Sequence, residues 1–338
     1  MAERTPDDFR AFRVHVDGES VSRRVERCGR EILPSNDVEV AVAYSSLNYK
    51  DALSASGNRG VTKEYPHTPG IDMAGTVTAS RDERFSPGDR VLCTGFDLGM
   101  NTPGGFGEYV SVPGDWLLRL PAGLGARQAM ALGTAGLTAA LALGRLAAAG
   151  ATSDLGPLVV TGASGGVGSV AVWLASRVGH EVVASTGTPA AAGMLTALGA
   201  ARIMDRAELA EPNPRPMLRA DLAGAVDTVG GHTLSNLLKR TAVGGAVAAC
   251  GLVGGADLET TVYPFILRGV SLMGVDSQHA SPQSRKRAWG DLAAAAAAEP
   301  EKLELLTTEV TLDELEPRIE QVLSGRTVGR VLVRVLGE

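Results

Sequence analysis

A glycine-rich segment in the middle of the chain most constrains what this sequence can fold into. Residues 161–168 read TGASGGVG, follow an apolar run and open a helix-length segment at 166–178. In such a strand–loop–helix unit, Gly165 would let the backbone approach a pyrophosphate, and Gly168 would let the helix pack closely on the strand. The free N–H groups and the positive dipole end of the helix favour a phosphate. The segment therefore predicts a nucleotide-binding unit.

Apolar runs around this loop, from about residue 131 to 276, predict an α/β fold with a doubly wound parallel sheet. Strand-length runs alternate there with helix-length segments, which is the pattern of βαβ crossovers. Continuous apolar runs such as LVV and VVA are typical of strands that are buried on both faces. The predicted strands are 158–161, 181–185, 202–204, 224–227, 246–251 and 270–275.

The flanking residues predict a second domain of a different kind. Residues 1–130 combine short β-type runs with Pro-Gly turns, which predicts an irregular, β-barrel-like domain. The clearest of these runs are 38–44, 75–78 and 90–94. From about residue 277 the pattern becomes mixed, with a charged helix at 284–298 and an alternating strand at 328–335. That strand could rejoin the first domain, so we expect 277–338 to complete it.

Taken alone, the glycine loop also fits the short-chain dehydrogenases. That family carries the loop near its N-terminus, whereas here about 160 residues precede it. It also needs a Tyr-x-x-x-Lys pair, and no tyrosine of this sequence has a lysine four residues later. Both observations argue against that family.

Composition and charge argue against several kinds of partner. The formal net charge of −6 gives no electrostatic reason to expect nucleic acid, whose partners usually carry a basic patch. No uninterrupted apolar run approaches the roughly 18 residues of a membrane span, and residues 1–10 lack the apolar core of a signal peptide. Cys28, Cys93 and Cys250 lie far apart and form no CxxC pair. We expect a cytoplasmic protein that binds neither nucleic acid nor membrane.

The end of the second strand of the parallel sheet bears on which dinucleotide the chain prefers. Residues 185–188 read STGT, without the Asp or Glu that usually holds the ribose hydroxyls of NAD. A carboxylate would repel a 2′-phosphate, so its absence favours NADP(H). The hydroxyls of Ser185 and Thr186 could donate to that phosphate, and Arg202 and Arg206 are the next cations along the chain. Arg206 could fold over the adenosine end; the alternative is that both arginines are solvated surface residues.

The sequence lacks the ligand pattern of a zinc alcohol dehydrogenase. Medium-chain alcohol dehydrogenases carry Gly-His-Glu after a proline near this position, but residues 69–72 read PGID here. The four closely spaced cysteines of a structural zinc lobe are also missing, and the histidines show no ligand spacing. These histidines are His15, His67, His180, His232 and His279. We therefore expect no metal.

Together these segments resemble a known family. The chain is similar to the zinc-free quinone oxidoreductase branch of the medium-chain dehydrogenases/reductases, and within it to the acryloyl-CoA reductase (YhdH/AcuI) group. The resemblance runs from about residue 38 to 290. The motifs that carry it are 45–53 (SSLNYKDAL), 69–75 (PGIDMAG), 133–138 (GTAGLT), 161–168 (TGASGGVG), 227–230 (DTVG), 248–251 (AACG), 264–268 (PFILR) and 274–277 (GVDS).

The resemblance implies a GroES-like catalytic domain, a Rossmann domain and a homodimer. It also implies NADPH-dependent reduction of the C=C bond of acryloyl-CoA to propanoyl-CoA, with a small-molecule enoyl-CoA thioester as substrate. By position it implies a set of contacts with NADPH. They are Tyr49, Ser164, Gly165, Gly166, Val167, Thr186, Gly187, Thr188, Arg206, Leu252, Ile266 and Ser277.

One position departs from that family pattern. The family commonly has Ser-Gly-Arg where this chain has Thr186-Gly187-Thr188. The missing cation weakens the 2′-phosphate site, and Arg206 is left to bind that phosphate. NADPH is the expected cofactor, with use of NADH as the open alternative.

The catalytic candidates lie just after a predicted strand of the first domain. Hydride addition to an α,β-unsaturated thioester leaves an enolate, whose charge needs a hydrogen-bond donor. Asn48, Tyr49 and Asp51 are the candidates, in a loop that could face the cofactor. Tyr49 is a candidate donor or positioning group, whereas Lys50 and Asp51 could instead form a structural ion pair. Water could equally supply the proton to the α-carbon.

Three alternatives stay open at the level of sequence. Arg285, Lys286 and Arg287 form a local basic cluster that could hold the phosphates of CoA or could be a solvated helix face. The substrate could be a quinone or a general 2-enone, which would need no long groove with cationic contacts. A nucleotide-binding structural protein without turnover is the non-enzymatic alternative, because a fold alone does not establish a function.

Overall fold

The computed structural model describes residues 8–337 and divides the chain into two units, one made of residues up to Thr134 and from Thr307 onward, the other of Ala135–Leu306. The strands are β1 (Asp8–Asp17), β2 (Ser20–Gly29), β3 (Val38–Leu47), β4 (Asp72–Ser80), β5 (Arg90–Thr94), β6 (Tyr109–Val112), β7 (Leu118–Arg119), β8 (Leu158–Val160), β9 (Val182–Thr186), β10 (Ala200–Asp205), β11 (Leu222–Asp227), β12 (Thr241–Ala249), β13 (Ser271–Gly274), β14 (Thr307–Thr311) and β15 (Arg330–Arg334). The helices are α1 (Tyr49–Ala55), α2 (Ala126–Ala148), α3 (Gly166–Arg177), α4 (Ala192–Ala197), α5 (Ala207–Ala210), α6 (Gly231–Arg240), α7 (Tyr263–Arg268), α8 (Pro282–Ala298), α9 (Pro300–Leu306) and α10 (Leu315–Leu323).

The second unit contains a parallel sheet in the order β10-β9-β8-β11-β12-β13. This is the predicted doubly wound arrangement, and all six predicted strands are present with shifted ends. Every residue of β8, β9 and β11 is buried, as the continuous apolar runs predicted for strands covered on both faces. The strand order reverses between β8 and β11, and ligands of such sheets bind at the carboxyl ends of the strands beside this point.

The first unit contains a sheet in the order β14-β15-β3-β4-β5-β7, with β6 also paired to β3. The alternation of β3 is confirmed, because Val38, Val40 and Val42 are fully buried while the residues between them are partly exposed. The predicted C-terminal strand does rejoin this unit, since β15 pairs antiparallel with β3. The last strand of the chain therefore lies inside the first sheet and not at its edge.

Two features of the first unit were not predicted. β1 and β2 form an antiparallel hairpin with ten residues in each strand, and the sequence gives little sign of β2 because four of its ten residues are charged. Residues 277–306 group with the second unit, whereas the predicted division placed all of 277–338 with the first.

The interpretation of residues 1–10 as free of a signal-peptide core falls largely on residues 1–7, which lie outside the described part of the chain.

Helix α2 runs through the point where the chain passes from the first unit to the second. Its helical geometry is interrupted at Gly133, where φ is 53° and ψ is −154°. This positive φ favours glycine. By length and composition α2 could cross a membrane, but 67% of its most apolar window is buried inside the protein, as expected of a core helix.

Candidate cofactor and active site

The glycine loop begins helix α3 without a side-chain cap. The N-cap residue Gly165 is extended, and no side chain caps the helix that starts at Gly166. The first N–H groups of the helix are therefore left for an anionic ligand, at the positive end of the helix dipole. A Cβ on Gly168 would clash with the Gly162 carbonyl oxygen and lie 2.7 Å from the Ala163 Cα. This close packing matches the role predicted for Gly168, and the loop fits a pyrophosphate.

A buried hydrogen-bonded pair joins the ends of β8 and β11 beside this loop. Thr161 Oγ1 donates to Asp227 Oδ1 over 2.6 Å, and Thr228 N donates to Thr161 Oγ1 over 3.0 Å. Gly230 N donates to Asp227 Oδ2 over 2.8 Å. Burial raises the pKa of Asp227, while its donors oppose that rise. The Thr161–Asp227 hydrogen bond was not predicted, because an acid at the end of a strand does not reveal its distant partner.

The hydroxyls at the end of β9 are turned toward the protein. Thr186 Oγ1 donates to Ser164 Oγ over 3.0 Å and accepts from Thr188 N over 3.0 Å. Ser185 is only 2% exposed. The expectation that Ser185 and Thr186 would donate to a 2′-phosphate is therefore not supported by their contacts. Instead, Thr186 ties the end of β9 to the glycine loop.

Arg206 lies beside the end of β9 in the structure. Its backbone N–H donates to the Thr186 carbonyl over 3.1 Å, and its guanidinium lies so close to Gly187 that a Cβ there would clash with it. The side chain is exposed and, within residues 8–337, forms no ion pair. An unneutralised guanidinium beside the ribose-binding end of β9 is suited to a 2′-phosphate.

The remaining predicted contacts of the second unit lie around the ends of β12 and β13. Leu252 and Ser277 follow those strands, on the same edge of the sheet as the glycine loop, and Ile266 lies in α7. Leu252 and Ile266 are 65% and 68% exposed. The Ser277 hydroxyl accepts a hydrogen bond of 2.9 Å from Thr138 Oγ1. Leu252 and the fixed hydroxyl of Ser277 therefore lie at this edge, whereas Ile266 belongs to the helix that leads into the start of β13.

The three basic residues at the start of α8 do not share one surface. Arg285 is 2% exposed and its guanidinium donates to backbone carbonyls, whereas Lys286 and Arg287 are exposed. The hypothesis that all three residues hold the phosphates of CoA is therefore wrong for Arg285. Helical geometry separates adjacent residues by about 100°, so neighbours in sequence point to different sides.

In the first unit, Asp51 acts as an acceptor for three backbone N–H groups. Its carboxylate accepts from Asn48 N over 2.8 Å, from Gly70 N over 3.1 Å and from Ile71 N over 2.8 Å. The side chain is fully buried, and burial together with the nearby Asp72 raises the pKa of Asp51 to about 7. These contacts fit a structural role, joining the start of α1 to the turn before β4. They give no access to a substrate.

Asn48 is engaged on both sides of its amide. Its Nδ2 donates to Asp72 Oδ2 over 2.8 Å, and its Oδ1 accepts from Arg330 Nη1 over 3.2 Å. A catalytic role for Asn48 would require the amide to leave this network. We therefore interpret Asn48, like Asp51, as a residue that stabilises the start of α1, where Tyr49 lies.

Asp72 and Arg330 form the centre of this buried network. Their side chains are 0% and 3% exposed, and Arg330 Nη2 lies 4.0 Å from Asp72 Oδ2. Ser46 Oγ connects them, donating to Asp72 over 2.7 Å and accepting from Arg330 over 2.9 Å. Thr134 donates its N–H and hydroxyl to Asp72 over 2.8 Å and 2.5 Å. Burial lowers the pKa of Arg330, and the carboxylates of Asp72 and Asp51 oppose this.

The same network surrounds the break in α2. A Cβ on Gly133 would lie 2.5 Å from Asp72 Oδ2 and 2.6 Å from Ser46 Oγ. Arg330 Nε donates to the Ala131 carbonyl over 3.0 Å. The charged pair thus binds the backbone on both sides of Gly133. Neither Asp72 nor Arg330 was predicted as a functional residue, although an acid directly before the run MAG and an arginine directly before VLV were visible signals.

Tyr49 differs from its two neighbours among the catalytic candidates. It is the first residue of α1, and its side chain is 48% exposed. In the part of the chain that the structure describes, its hydroxyl has no hydrogen-bond partner. Tyr49 remains the candidate for contact with substrate.

Across residues 8–337 there is no group of three or more His, Cys, Asp or Glu side chains that could hold a metal ion.

Two family models match the chain. One, described as the alcohol dehydrogenase GroES-like domain, matches residues 34–122. The other, described as zinc-binding dehydrogenase, matches residues 166–294. Together they cover both units and more than half of the chain.

Curated relatives match most of the chain, one of them over nearly its full length. Acrylyl-CoA reductase AcuI of Ruegeria pomeroyi is 46% identical over 97% of this chain and 99% of its own. Quinone oxidoreductase of Sus scrofa is 30% identical over 77% of this chain and 76% of its own.

Solved structures with bound dinucleotides share the fold. The yhdH oxidoreductase of Salmonella enterica in complex with NADP has a TM-score of 0.93 and 44% identity, covering 96% of this chain and 99% of that one. The Bacillus subtilis protein yhfP with NAD bound has a TM-score of 0.93 and 42% identity, covering 97% and 100%. The two relatives were thus crystallised with different dinucleotides.

Proposed function

Because this chain belongs to the zinc-free, quinone oxidoreductase-like group of the medium-chain dehydrogenase/reductase family, we propose that it catalyses the NADPH-dependent reduction of acryloyl-CoA to propanoyl-CoA. The observation that carries the proposal is the 46% identity to acrylyl-CoA reductase AcuI over 97% of the chain. The site supports it, since the glycine loop and Arg206 offer separate places for the pyrophosphate and the 2′-phosphate.

Particular residues of this chain would bind the cofactor and stabilise the charge that develops on the substrate. The first N–H groups of α3, at Gly166 and Val167, hold the pyrophosphate, and Arg206 holds the 2′-phosphate. When bound, NADPH supplies a hydride to the β-carbon of the unsaturated thioester. Negative charge then develops on the thioester oxygen, and a hydroxyl that donates to it stabilises that charge. We assign this donation to Tyr49, whose hydroxyl is not engaged within the described residues. Water or the same hydroxyl supplies the proton to the α-carbon.

The substrate is tested by following the loss of nicotinamide absorbance with purified protein. We expect turnover with acryloyl-CoA at a kcat/KM well above that for crotonyl-CoA, simple enones and quinones. Equal activity on enones without CoA would instead support the alternative, an NADPH:quinone or general 2-enone oxidoreductase, which the similarity to quinone oxidoreductase of Sus scrofa favours. Binding of NADPH without turnover of any activated alkene would contradict both.

The preference for NADPH is tested with Arg206→Ala. Hydrogen bonds to charged groups are worth about 1.5–3 kcal/mol, so we expect the Kd for NADPH to rise roughly 10- to 100-fold. The Kd for NADH, which has no 2′-phosphate, should stay unchanged. The matched control is Arg202→Ala, another exposed arginine of the same strand region. An equal loss for both dinucleotides would show that Arg206 does not recognise the 2′-phosphate.

We also propose a homodimer in the cytoplasm. The strand β13 lies at the edge of the parallel sheet, and Ile266 and Leu267 of the neighbouring α7 are 68% and 63% exposed. An unpaired edge beside exposed apolar side chains is a surface that a second copy can cover. Sedimentation equilibrium should give twice the chain mass of 34.9 kDa, and a monomer mass would contradict the dimer.

A further inference from the structure

The loop that follows β13 lies on the ligand-binding edge of the parallel sheet. In the order β10-β9-β8-β11-β12-β13, the glycine loop follows β8, and Arg206 follows β10 on one side of it. A dinucleotide whose pyrophosphate lies at β8 and whose adenosine half extends toward β10 must extend its nicotinamide half toward β11–β13. The loop at 275–281, which contains Ser277, is therefore on the nicotinamide side.

Arg285 binds the backbone of this loop. The guanidinium is buried, and Nη2 donates to the carbonyl oxygens of Ser277 over 2.7 Å and Gln278 over 2.8 Å. Its Nε donates to the Ala280 carbonyl over 3.1 Å. One side chain thus binds three carbonyls within four residues. The planar guanidinium reaches these carbonyls from two separate nitrogens, Nε and Nη2, whereas the three N–H donors of a lysine share one nitrogen.

Further contacts fix the same loop. Thr138 Oγ1 of α2 donates to the Ser277 hydroxyl over 2.9 Å. Asp276 accepts from the backbone N–H groups of Gln278 and His279 over 2.9 Å and 3.1 Å. Ser277 is thus held at its carbonyl by Arg285 and at its hydroxyl by Thr138. Burying a charged side chain costs free energy unless its hydrogen bonds are satisfied. The buried guanidinium of Arg285 therefore depends on the loop carbonyls, and the loop conformation depends on Arg285.

We propose that Arg285 is a positioning residue for the nicotinamide half of NADPH. It acts through the backbone of Ser277 and Gln278 and does not touch the cofactor itself. This inference rests on the proposed function, since it takes NADPH as the dinucleotide. It replaces the sequence-based hypothesis in which Arg285 binds the phosphates of CoA.

The test compares Arg285→Ala with Arg287→Ala, whose side chain is exposed on the same helix. The ligands are NADPH and 2′,5′-ADP, which carries the adenosine half alone. We expect Arg285→Ala to raise the Kd for NADPH about tenfold or more and to leave that for 2′,5′-ADP unchanged. Arg287→Ala should change neither. An unchanged Kd for NADPH with only a lower Tm, or an equal loss for both ligands, would overturn the proposal.

Chemical rescue separates the guanidinium from general packing. Methylguanidinium added to Arg285→Ala should restore NADPH affinity, and methylammonium should not. Arg285→Lys keeps the charge without the planar donor set, so it should stay weakened toward NADPH alone, and it supplies the comparison if the alanine variant does not fold. Full affinity in Arg285→Lys would refute the geometric argument. If the wild-type protein binds NADPH but does not reduce acryloyl-CoA, the proposed function fails while this binding comparison remains decisive.

Discussion

Replacing Arg330 by methionine is expected to lower the free energy of unfolding by about 3–5 kcal/mol, the range typical of removing one partner of a buried ion pair. The variant leaves Asp72 and Asp51, both fully buried, without the cation that lies among them. It also removes the donor to the Ala131 carbonyl beside the break in α2. Urea denaturation followed by circular dichroism measures the change.

Two further variants make this result specific. Arg84→Met removes a cation of exposed ion pairs, with a side chain that is 58% exposed, and should lower the free energy of unfolding far less than Arg330→Met. Adding Asp72→Asn to Arg330→Met should recover part of the loss, since the amide carries no charge to leave unpaired and its oxygen can still accept hydrogen bonds from the donors around it. If Arg330→Met is as mild as Arg84→Met, the network does not hold the first unit together.

Replacing Tyr49 by phenylalanine is expected to lower kcat by a factor on the order of 10²–10³, the effect of removing one oxyanion donor. The hydroxyl makes no hydrogen bond within the described residues, and its ring is half exposed, so the loss should be chemical and not structural. The free energy of unfolding should stay within about 0.5 kcal/mol of the wild type, as for most surface substitutions. Steady-state kinetics at saturating acryloyl-CoA and NADPH measure kcat.

The matched control is Tyr263→Phe, which removes the hydroxyl of another exposed tyrosine, 45% exposed, on α7. This variant should retain the wild-type kcat. Full turnover of Tyr49→Phe at saturating substrate would exclude a chemical role for Tyr49. A raised KM with unchanged kcat would assign Tyr49 to substrate binding alone.

Local patterns explain why the second unit could be predicted so fully. The central strands β8, β9 and β11 carry buried apolar runs such as LVV and VVA, and the glycine loop combines strand, turn and helix signals within a few residues. The Asp72–Arg330 pair could not be derived in this way, because its members lie near opposite ends of the chain and their pairing depends on β15 joining β3. No local periodicity encodes such a contact.

Arg285 shows a different limit of sequence reasoning. Within the triplet Arg285, Lys286 and Arg287, charge alone suggests one solvated face. The next three buried residues of α8 are Ala288, Trp289 and Leu292, three, four and seven positions after Arg285. This spacing places Arg285 on the apolar side of the helix, so the signal was present in the helical period and was masked by the charge.

The position of β15 in the first sheet also bears on how the chain is made. A ribosome releases β3–β7 early, but the strand that lies between β14 and β3 comes last, with Arg330 at its start. Until then, Asp51 and Asp72 have no cation to accompany them into the interior. The second unit is continuous in sequence and needs no later segment. We therefore expect the nucleotide-binding unit to fold first during translation, against the usual N-to-C order, and the N-terminal unit to close only after β15 has been synthesised.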